Sequence, residues 1–380
     1  MQPFYRRLVE IRHYLHQRPE LSGKEFETTA FLKQQLEMLR IRMVDTPLKT
    51  GVIAEIGSGS PVIALRADID ALPIQEKTRL PFASQYEGVM HACGHDLHMT
   101  ALLGAAEWLK ARESQIQGTI RLIFQPAEEI SVGAMQVIEA GYLEDVLAII
   151  GFHNMPSMKP NQIGFRVGGV MAGVEKFRVN LEGKSTHAAR PDLGVDVIAA
   201  MTSMIQNLQL MMARTVSPFD PAILSIGHME AGSTWNVIPK DGFFEGTIRC
   251  FNPQLQKRLR LEMTRIVNRA ADSFGARVEI TWDQTPPVTY NDPFLTEFMR
   301  SHANDIGEII EATPSLAGED FAFYQQRVPG VFAFIGSNGQ EGAPDLHSEY
   351  MTIDDAALET AVPYYFKNAL LLLEYYKQKL

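Results

Sequence analysis

One short stretch of the sequence is dense in residues that bind metal ions. The eight residues from His91 to His98 contain three of the chain's ten histidines and one of its two cysteines. Thiolate and imidazole ligands together suit a borderline-soft divalent ion such as zinc, and the neighbouring Asp96 is placed to orient a ligating histidine. We therefore predict a metal site that includes Cys93 and His95, and we interpret His91 and His98 as supporting residues.

Further candidate ligands follow predicted strands. Short apolar runs that predict buried strands occur at 61–66, 118–124, 146–150 and 331–335. The polar residues that follow them are, in order, Asp68 with Asp70, Glu128 with Glu129, His153, and His347. In open α/β sheets ligands lie beyond the carboxyl ends of the strands, so we expect these side chains to meet at one site.

The number of candidate ligands indicates more than one ion. Side chains of suitable type are those of Cys93, His95, Glu129, His153 and His347. One tetrahedral ion needs only three or four protein ligands, so five candidates favour two ions that share a bridging group. A single histidine after a strand is more often a structural residue, and the joint placement of these five is what favours a metal site.

Glu128 and Glu129 are adjacent carboxylates with two possible uses. Successive side chains point in different directions, so one carboxylate can bind a metal ion while the other acts as a general base on water. An isolated pair of acids more often marks a helix N-terminus, where it complements the helix dipole. Here the pair directly follows an apolar strand and Gln125-Pro126, which favours the catalytic interpretation.

The composition excludes several classes of partner. The formal net charge is -10, and no basic blocks occur, which argues against a nucleic-acid or anionic-membrane partner. The N-terminus lacks an apolar signal core, and no apolar run reaches the roughly 18 residues that span a bilayer. Cys93 and Cys250 are too far apart to suggest a disulfide framework. We expect a cytoplasmic protein that binds small molecules, in a compartment where Cys93 stays reduced.

The order of predicted elements divides the 380 residues into three segments. Residues 1–171 begin with two helices and continue with strands and helices, and residues 286–380 resume that pattern. Residues 172–285 follow the β-α-β-β-α-β order of a ferredoxin-like domain. We therefore predict an α/β protein with a discontinuous catalytic domain, built on a mixed, mostly parallel sheet flanked by helices. The ferredoxin-like domain is inserted into it.

Taken together, these motifs resemble the M20 family of metallopeptidases and aminoacylases. The similarity is greatest to its N-acyl-amino-acid amidohydrolases, which include hippurate hydrolases and auxin-conjugate hydrolases. It covers essentially the whole chain. The matching segments are His13 to Glu20, RADIDALP at 66–73, MHACGHD at 90–96, QPAEE at 125–129, GFH at 151–153, 183–191, EDF at 319–321 and LHS at 346–348.

The resemblance implies a role for each candidate in the catalytic domain. Cys93 would bridge two divalent ions, such as Zn²⁺, Mn²⁺, Co²⁺ or Ni²⁺, in each subunit. The remaining ligands would be His95, Glu129, His153 and His347. Glu128 would be the general base, and Asp68 would lie behind the site.

The resemblance also implies that the inserted domain is a lid and dimerisation domain. His187, Asn236 and Arg249 correspond to lid residues that reach over the metals. In the family the histidine comes from the partner subunit and helps to hold the carbonyl oxygen. The asparagine and the arginine contact the carboxylate side of the substrate. A homodimer, or a tetramer built from dimers, is therefore expected.

The expected reaction is metal-dependent hydrolysis of an N-acyl amino acid, such as an N-acetyl or N-benzoyl derivative, to a carboxylate and a free amino acid. A dipeptidase or carboxypeptidase on the same scaffold is the nearest alternative. An amidase with Cys93 as nucleophile and His95 or His347 as base would leave the Glu128-Glu129 pair without a purpose. A non-catalytic metal or ligand-binding module is disfavoured by the presence of Glu128.

Overall fold

The computed structural model describes residues 2–379, which form two compact units. Within these residues, the first unit contains 2–170, Asn291–Thr313 and 320–379, and the second contains Met171–Tyr290 and Pro314–Glu319. We retain 1–171, 172–285 and 286–380 as a proposed division into domains. The compact units differ from it in three places, since Met171, residues 286–290 and the short segment Pro314–Glu319 all belong to the second unit.

Helices and strands alternate along most of the chain. The α-helices of the described residues are α1 (Pro3–His16), α2 (Phe26–Met38), α3 (His95–Lys110), α4 (Gly133–Glu139), α5 (Val197–Thr215), α6 (Pro253–Phe274), α7 (Pro293–Ser301), α8 (Phe321–Gln325) and α9 (Leu358–Lys377). Short 3-10 helices span Glu113–Gln115, Pro191–Leu193 and Asp355–Ala357. No helix between residues 2 and 379 is long and apolar enough to cross a membrane.

The strands are assigned to the two units as follows. Those of the first unit's main sheet are β1 (Arg42–Val44), β2 (Val52–Ser58), β3 (Val62–Asp68), β4 (Gly118–Gln125), β5 (Val146–Met155), β6 (Gln162–Phe165), β15 (Glu308–Glu311) and β16 (Gly330–Gly336). The strands of the second unit are β8 (Gly173–Glu182), β9 (Thr186–His187), β10 (Ala222–Ala231), β11 (Val237–Ile238), β12 (Asp241–Cys250) and β13 (Arg277–Trp282). The short strands β7 (Gly168–Met171) and β14 (Thr289–Asn291) pair with each other.

An eight-stranded mixed sheet forms the centre of the first unit. Its strand order is β1-β2-β4-β3-β5-β16-β6-β15. The central strands β4, β3, β5 and β16 are parallel to their neighbours within that group, whereas β1, β2 and β6 each make an antiparallel pair. This confirms the predicted mixed, mostly parallel sheet. Strands β3 and β4 are buried along their whole length, as expected for strands covered on both faces.

Strand β5 is longer than the sequence predicts. The apolar run predicts a strand that ends at Ile150, but β5 continues to Met155. The parallel pairing with β16 continues through His153, which lies opposite Phe334, so backbone hydrogen bonds extend the strand into polar sequence. His153 therefore projects from a strand rather than from a loop.

Helix α3 is the central helix of the first unit. Most of its residues are buried, because it packs against α1 and α9. Gly104 allows this close packing: a Cβ atom there would lie 2.7 Å from a methyl carbon of Leu8 and 2.9 Å from one of Val362. The same helix begins at His95, so its packing fixes the position of a candidate ligand.

The second unit has the predicted β-α-β-β-α-β order. Strands β8, β10, β12 and β13 form an antiparallel sheet in the order β10-β12-β8-β13, with α5 and α6 packed on it. Both helices begin at a capping side chain: Asp196 accepts hydrogen bonds from backbone amides of α5, and Asn252 does the same for α6. The function of this unit as a lid stays a prediction.

Candidate metal centre

The loop that carries Cys93 passes very close to β5. Gly94 has φ +87°, and a Cβ atom there would lie 2.3 Å from Oδ1 of Asn154, so only glycine fits without displacing the buried side chain of Asn154. A second chain segment is attached to this loop by a hydrogen bond of 2.9 Å from the backbone N of His347 to the carbonyl of Ala92. His347 itself has φ +62°, a conformation that persists in a non-glycine residue only where its surroundings hold it.

The five predicted ligands lie together in the first unit. Cys93 Sγ is 3.4 Å from Nε2 of His153 and 3.3 Å from Nε2 of His347. The carboxylate of Glu129 lies 3.8 Å from Nε2 of His95 and 3.6 Å from Nε2 of His347. These residues form two groups, Cys93 with His95 and His153, and Cys93 with Glu129 and His347. Within each group the ligand atoms are within 4.8 Å of one another, and the thiol belongs to both.

Hydrogen bonds orient two of the histidine rings. Nδ1 of His95 donates to the carbonyl oxygen of Asp70 at 2.9 Å, and Nδ1 of His153 donates to the carbonyl oxygen of Asn154 at 2.8 Å. A carbonyl oxygen can only accept, so Nδ1 carries the proton in both rings. In the neutral rings Nε2 then keeps its lone pair on the side of Cys93, as metal-ligating histidines require.

Two buried atoms of this cluster are consistent with a bound cation. In the part of the chain that the structure describes, Nε2 of His95 and Oε1 of Glu129 are buried without a hydrogen-bond partner. Buried polar atoms are almost always paired, so these two require an explanation. A divalent ion between the two side chains provides it, since nitrogen, oxygen and thiolate sulfur are all ligands for such ions.

The protonation of the cluster also fits a cation. Burial lowers the pKa of His95, but the carboxylates of Asp68 and Asp70 outweigh it and raise this pKa to about 10. Burial raises the pKa of Glu129 to about 7, and burial together with Glu129 raises the pKa of the Cys93 thiol well above its usual range. Without an ion the cluster therefore retains protons, and ion binding would displace them because the ligands must be deprotonated.

Glu128 lies beside this cluster in a tight turn after β4. The backbone N of Ser131 donates to the carbonyl of Glu128 at 2.7 Å, which closes the turn. Glu128 is buried, and its Oε1 accepts a hydrogen bond from the backbone N of Asp320 at 3.3 Å. Ligand atoms of Glu128, Glu129 and His95 lie within 4.8 Å of one another. Glu128 is therefore close enough to exchange a proton with a molecule held at the ligands.

In the second unit, His187 and Asn236 lie side by side. Strand β9 pairs with β11, and the backbone N of Ala188 donates to the carbonyl of Asn236 at 3.0 Å. The side chain of His187 is exposed, and that of Asn236 is half-buried. Nδ1 of His187 accepts a hydrogen bond from the backbone N of Ala189 at 3.1 Å, so its Nε2 is the nitrogen that carries a proton in the neutral ring.

Arg249 lies elsewhere in the second unit. It is near the end of β12, eight residues after Asp241, which corresponds to about 26 Å along a strand. The β9-β11 pair is instead connected to the start of β12, since β11 ends at Ile238. Nη1 of Arg249 donates to the carbonyl of Leu316 at 2.6 Å. Within a single chain, Arg249 therefore lies far from His187 and Asn236.

Comparison with known proteins identifies the family. The model of peptidase family M20/M25/M40 matches residues 64–369. The chain belongs to this family. An N-acetyl-L-cysteine deacetylase of Bacillus subtilis (strain 168) is 44% identical over 372 residues, which are 97% of this chain and 89% of that protein.

Two further proteins are similar to this M20 family protein over most of its length. The IAA-amino acid hydrolase ILR1-like 5 of Arabidopsis thaliana is 37% identical over 365 residues, which are 93% of this chain and 84% of that protein. A Bacillus subtilis crystal structure, described as a dinuclear metal binding peptidase from the M20 family, superposes with a TM-score of 0.87 at 41% identity. That match covers 98% of this chain and 99% of the other chain.

Asp70 is a residue of this M20 family site to which sequence reasoning assigned no role. Its Oδ2 accepts hydrogen bonds from the backbone N of Glu129 at 3.0 Å and from the hydroxyl of Ser22 at 2.7 Å. Its carbonyl oxygen accepts the hydrogen bond from His95 described above. Asp70 thus orients two candidate ligands at once. The sequence signals for Asp70 were its position at a strand end, two residues after Asp68, and its place in the RADIDALP motif at 66–73.

The prediction that Asp96 orients a ligating histidine is wrong. Its Oδ2 accepts hydrogen bonds of 3.0 Å from Nη1 of Arg12 and from Nδ1 of His16. Asp96 follows His95 in the first turn of α3, and successive helical side chains point about 100° apart, so its carboxylate is directed away from the ligands of this M20 family site. Asp68 is closer to them, with Oδ2 3.7 Å from Nε2 of His95 and Oδ1 2.6 Å from Nδ1 of His98.

Proposed function

We propose that this M20 family protein hydrolyses the amide bond of N-acyl amino acids to a carboxylate and a free amino acid. The observation that carries the proposal is the pair of three-residue ligand groups that share Cys93, with Glu128 beside them. Two relatives that match most of the chain are named for the deacetylation of N-acetyl-L-cysteine and the hydrolysis of IAA-amino acids.

The ligand groups would hold two divalent ions, such as Zn²⁺, Mn²⁺, Co²⁺ or Ni²⁺. We assign Cys93 to both ions, His95 and His153 to one, and Glu129 and His347 to the other. When bound, such ions polarise the amide carbonyl and make water a stronger acid. The Bacillus subtilis structure described as a dinuclear metal binding peptidase supports this assignment.

Glu128 is the residue that we assign to proton transfer. It would take a proton from the attacking water and deliver it to the leaving amine, as a general base and then a general acid. Asp68 acts behind the ligands. Its carboxylate accepts hydrogen bonds from Nδ1 of His98 and from Nη1 of Arg66, both at 2.6 Å, and its negative charge lies beside His95.

The lid residues would act across a homodimer. Arg249 offers a guanidinium, which matches the geometry of the α-carboxylate of a substrate. His187 and Asn236 lie near the start of β12 and Arg249 near its end, so we propose that the first two come from the partner subunit and Arg249 from the same chain as the metal ligands. His187 of the partner subunit would donate to the carbonyl oxygen. A cytoplasmic location stays a prediction from the sequence.

The test is a panel of substrates and metals. Protein stripped with a chelator is reconstituted separately with Zn²⁺, Mn²⁺, Co²⁺ or Ni²⁺ and incubated with N-acetyl and N-benzoyl amino acids and with free dipeptides. Preferential turnover of the N-acyl amino acids is expected. Turnover of dipeptides alone would favour the dipeptidase or carboxypeptidase alternative. Activity that resists chelators but is abolished by iodoacetamide would favour Cys93 as nucleophile, and no turnover with any metal would favour a binding module.

A further inference from the structure

Two residues to which the proposed function assigns neither a ligand nor a catalytic role meet in the interior of the first unit. Arg66 lies in β3, and Asp320 directly precedes α8. Only 1% of Arg66 and 0% of Asp320 is exposed, and Nη2 of Arg66 donates to Oδ1 of Asp320 at 2.7 Å. Charges buried to this extent are costly unless they are paired, so this contact requires that both partners stay in place.

Arg66 links Asp320 to the metal side of the site. Its Nη1 donates to Oδ2 of Asp68 at 2.6 Å, and its Nε donates to Oε1 of Gln125 at 2.8 Å. Nε2 of Gln125 in turn contacts both carboxylate oxygens of Asp320, at 2.9 and 2.8 Å. The planar guanidinium has donors in fixed directions, so it sets the relative position of Asp68 and Asp320.

Asp320 holds both sides of the turn that carries Glu128. Its Oδ2 accepts a hydrogen bond from the backbone N of Ala134 at 3.0 Å, and its own backbone N donates to Oε1 of Glu128 at 3.3 Å. Within this turn Ala127 and Ser131 have φ values of +54° and +57°. Such values cost energy in residues other than glycine and persist only where surrounding contacts impose them.

We propose that Arg66 and Asp320 are positioning residues that hold the carboxylate of Glu128 in the orientation for proton transfer. The proposal rests on the proposed function, in which Glu128 is the base. Neither residue reaches the reacting atoms. Arg66 holds the side chain of Asp320 in place, and this fixes the position of the backbone amide of Asp320. That amide in turn binds one carboxylate oxygen of Glu128. A displacement of about 1 Å in a catalytic group can lower the rate by about 100-fold.

The variants Asp320→Asn and Arg66→Lys test this proposal. Asp320→Asn keeps the size of the side chain but removes the charge that Arg66 compensates, whereas Arg66→Lys keeps the positive charge but removes the fork of donors. We expect kcat to fall by about 10- to 100-fold. KM should change by less than about 3-fold, and metal analysis should still find two ions per subunit, because neither residue is assigned to the ligands or to the substrate.

A matched buried pair in the same sheet serves as the control. Arg121 in β4 donates from Nη2 to Oε1 of Glu55 in β2 at 2.6 Å, and each residue is 8% exposed. Arg121→Lys and Glu55→Gln disturb a similar pair whose further contacts are with Arg42, Asp145 and Tyr142, away from Glu128. They should lower the thermal midpoint and leave kcat within about 2-fold of wild type. An equal loss of kcat in the control variants would overturn the proposal.

A double-mutant cycle with Glu128→Gln separates positioning from general destabilisation. If Asp320 acts through Glu128, Asp320→Asn should lower single-turnover rates by less than about 2-fold in the Glu128→Gln background. The same 10- to 100-fold loss in both backgrounds would overturn the positioning role and leave the proposed function intact. A Glu128→Gln enzyme with nearly full activity would instead remove the base from the proposed function, and this inference with it. If Asp320→Asn does not fold, the cycle is run with Arg66→Lys.

Discussion

The two units differ in how completely one chain positions its candidate residues. In the first unit Cys93, His95 and His153 are buried, and hydrogen bonds to backbone carbonyls orient both rings. In the second unit His187 is exposed, Asn236 is half-buried, and both lie far along the sheet from Arg249. Buried and mutually bonded ligands are set by the fold of one chain. The residues of the second unit are too far apart to act together within one chain, and the predictions below test this difference.

The largest effect is expected from the residue common to both ligand groups. Cys93→Ala should reduce activity below detection and lower the metal content, because each group is then left with two ligands. Cys93→Asp should recover part of both, since a carboxylate can also bridge. Metal analysis and turnover measure the two effects. Cys250→Ala removes the other buried cysteine, which lies in the second unit, and should keep both ions; a normal metal content in Cys93→Ala would contradict the assignment.

Substitutions of the adjacent residues Glu128 and Glu129 should affect proton transfer and metal binding separately. Glu128→Gln should lower kcat by about 10²- to 10⁴-fold, the contribution of a general base, and keep both ions. Glu129→Gln should lose metal as well as activity, because Glu129 belongs to a ligand group. Steady-state kinetics and metal analysis on both variants are the measurements. Loss of metal from Glu128→Gln, or full activity in it, would show that the two roles are assigned wrongly.

Asp70 should control metal affinity without contacting a metal. Asp70→Asn weakens the support of both Glu129 and His95, so we expect the affinity for the ions to fall by about 10- to 100-fold in a chelator competition. Asp96→Asn is the matched control, because Asp96 is equally buried but pairs with Arg12 and His16. It should lower thermal stability and leave the metal affinity unchanged. Equal effects of the two variants on affinity would argue against the role of Asp70.

The smallest expected change in activity is the recovery that follows when two inactive variants are mixed. This experiment is also the most direct test of the second unit. Glu128→Gln and His187→Ala are mixed under conditions that exchange subunits. If His187 acts across the dimer, one of the two sites in a mixed dimer is intact. Random pairing makes about half of the dimers mixed, so activity should recover to roughly a quarter of wild type. No recovery despite demonstrated exchange would exclude action across the dimer.

A variant of Arg249 serves as the control for this mixing experiment. Arg249 is proposed to act in the same chain as Glu128, so a mixture of Arg249→Ala with Glu128→Gln leaves every site with one defect. This mixture should show no recovery, whereas Asn236→Ala mixed with Glu128→Gln should behave like the His187 mixture if Asn236→Ala is inactive. Recovery in the Arg249 mixture would overturn the arrangement inferred from the ends of β12.

Several features of the fold follow from local sequence. Apolar runs predict β3, β4 and β16, and the β-α-β-β-α-β order predicts the sheet of the second unit, because the periodicity and length of such runs depend on near neighbours. The extension of β5 through His153 does not follow, since it depends on pairing with β16, whose residues lie about 180 positions later. The same limit applies to Asp96, because its hydrogen-bond partners Arg12 and His16 lie about 80 positions earlier in the chain.

By itself, the sequence determined the types of side chain available for chemistry and their placement at the ends of strands. The thiol, the imidazoles and the adjacent carboxylates can be read directly from the sequence, and the apolar runs predict that most of them follow strands. Only the tertiary structure decided which atoms meet: that Cys93 belongs to two ligand groups, that Asp70 supports two ligands, and that Arg66 contacts Asp320. The physical reason is that these contacts join segments far apart in the chain, and their partners are set by strand order and helix packing rather than by local periodicity.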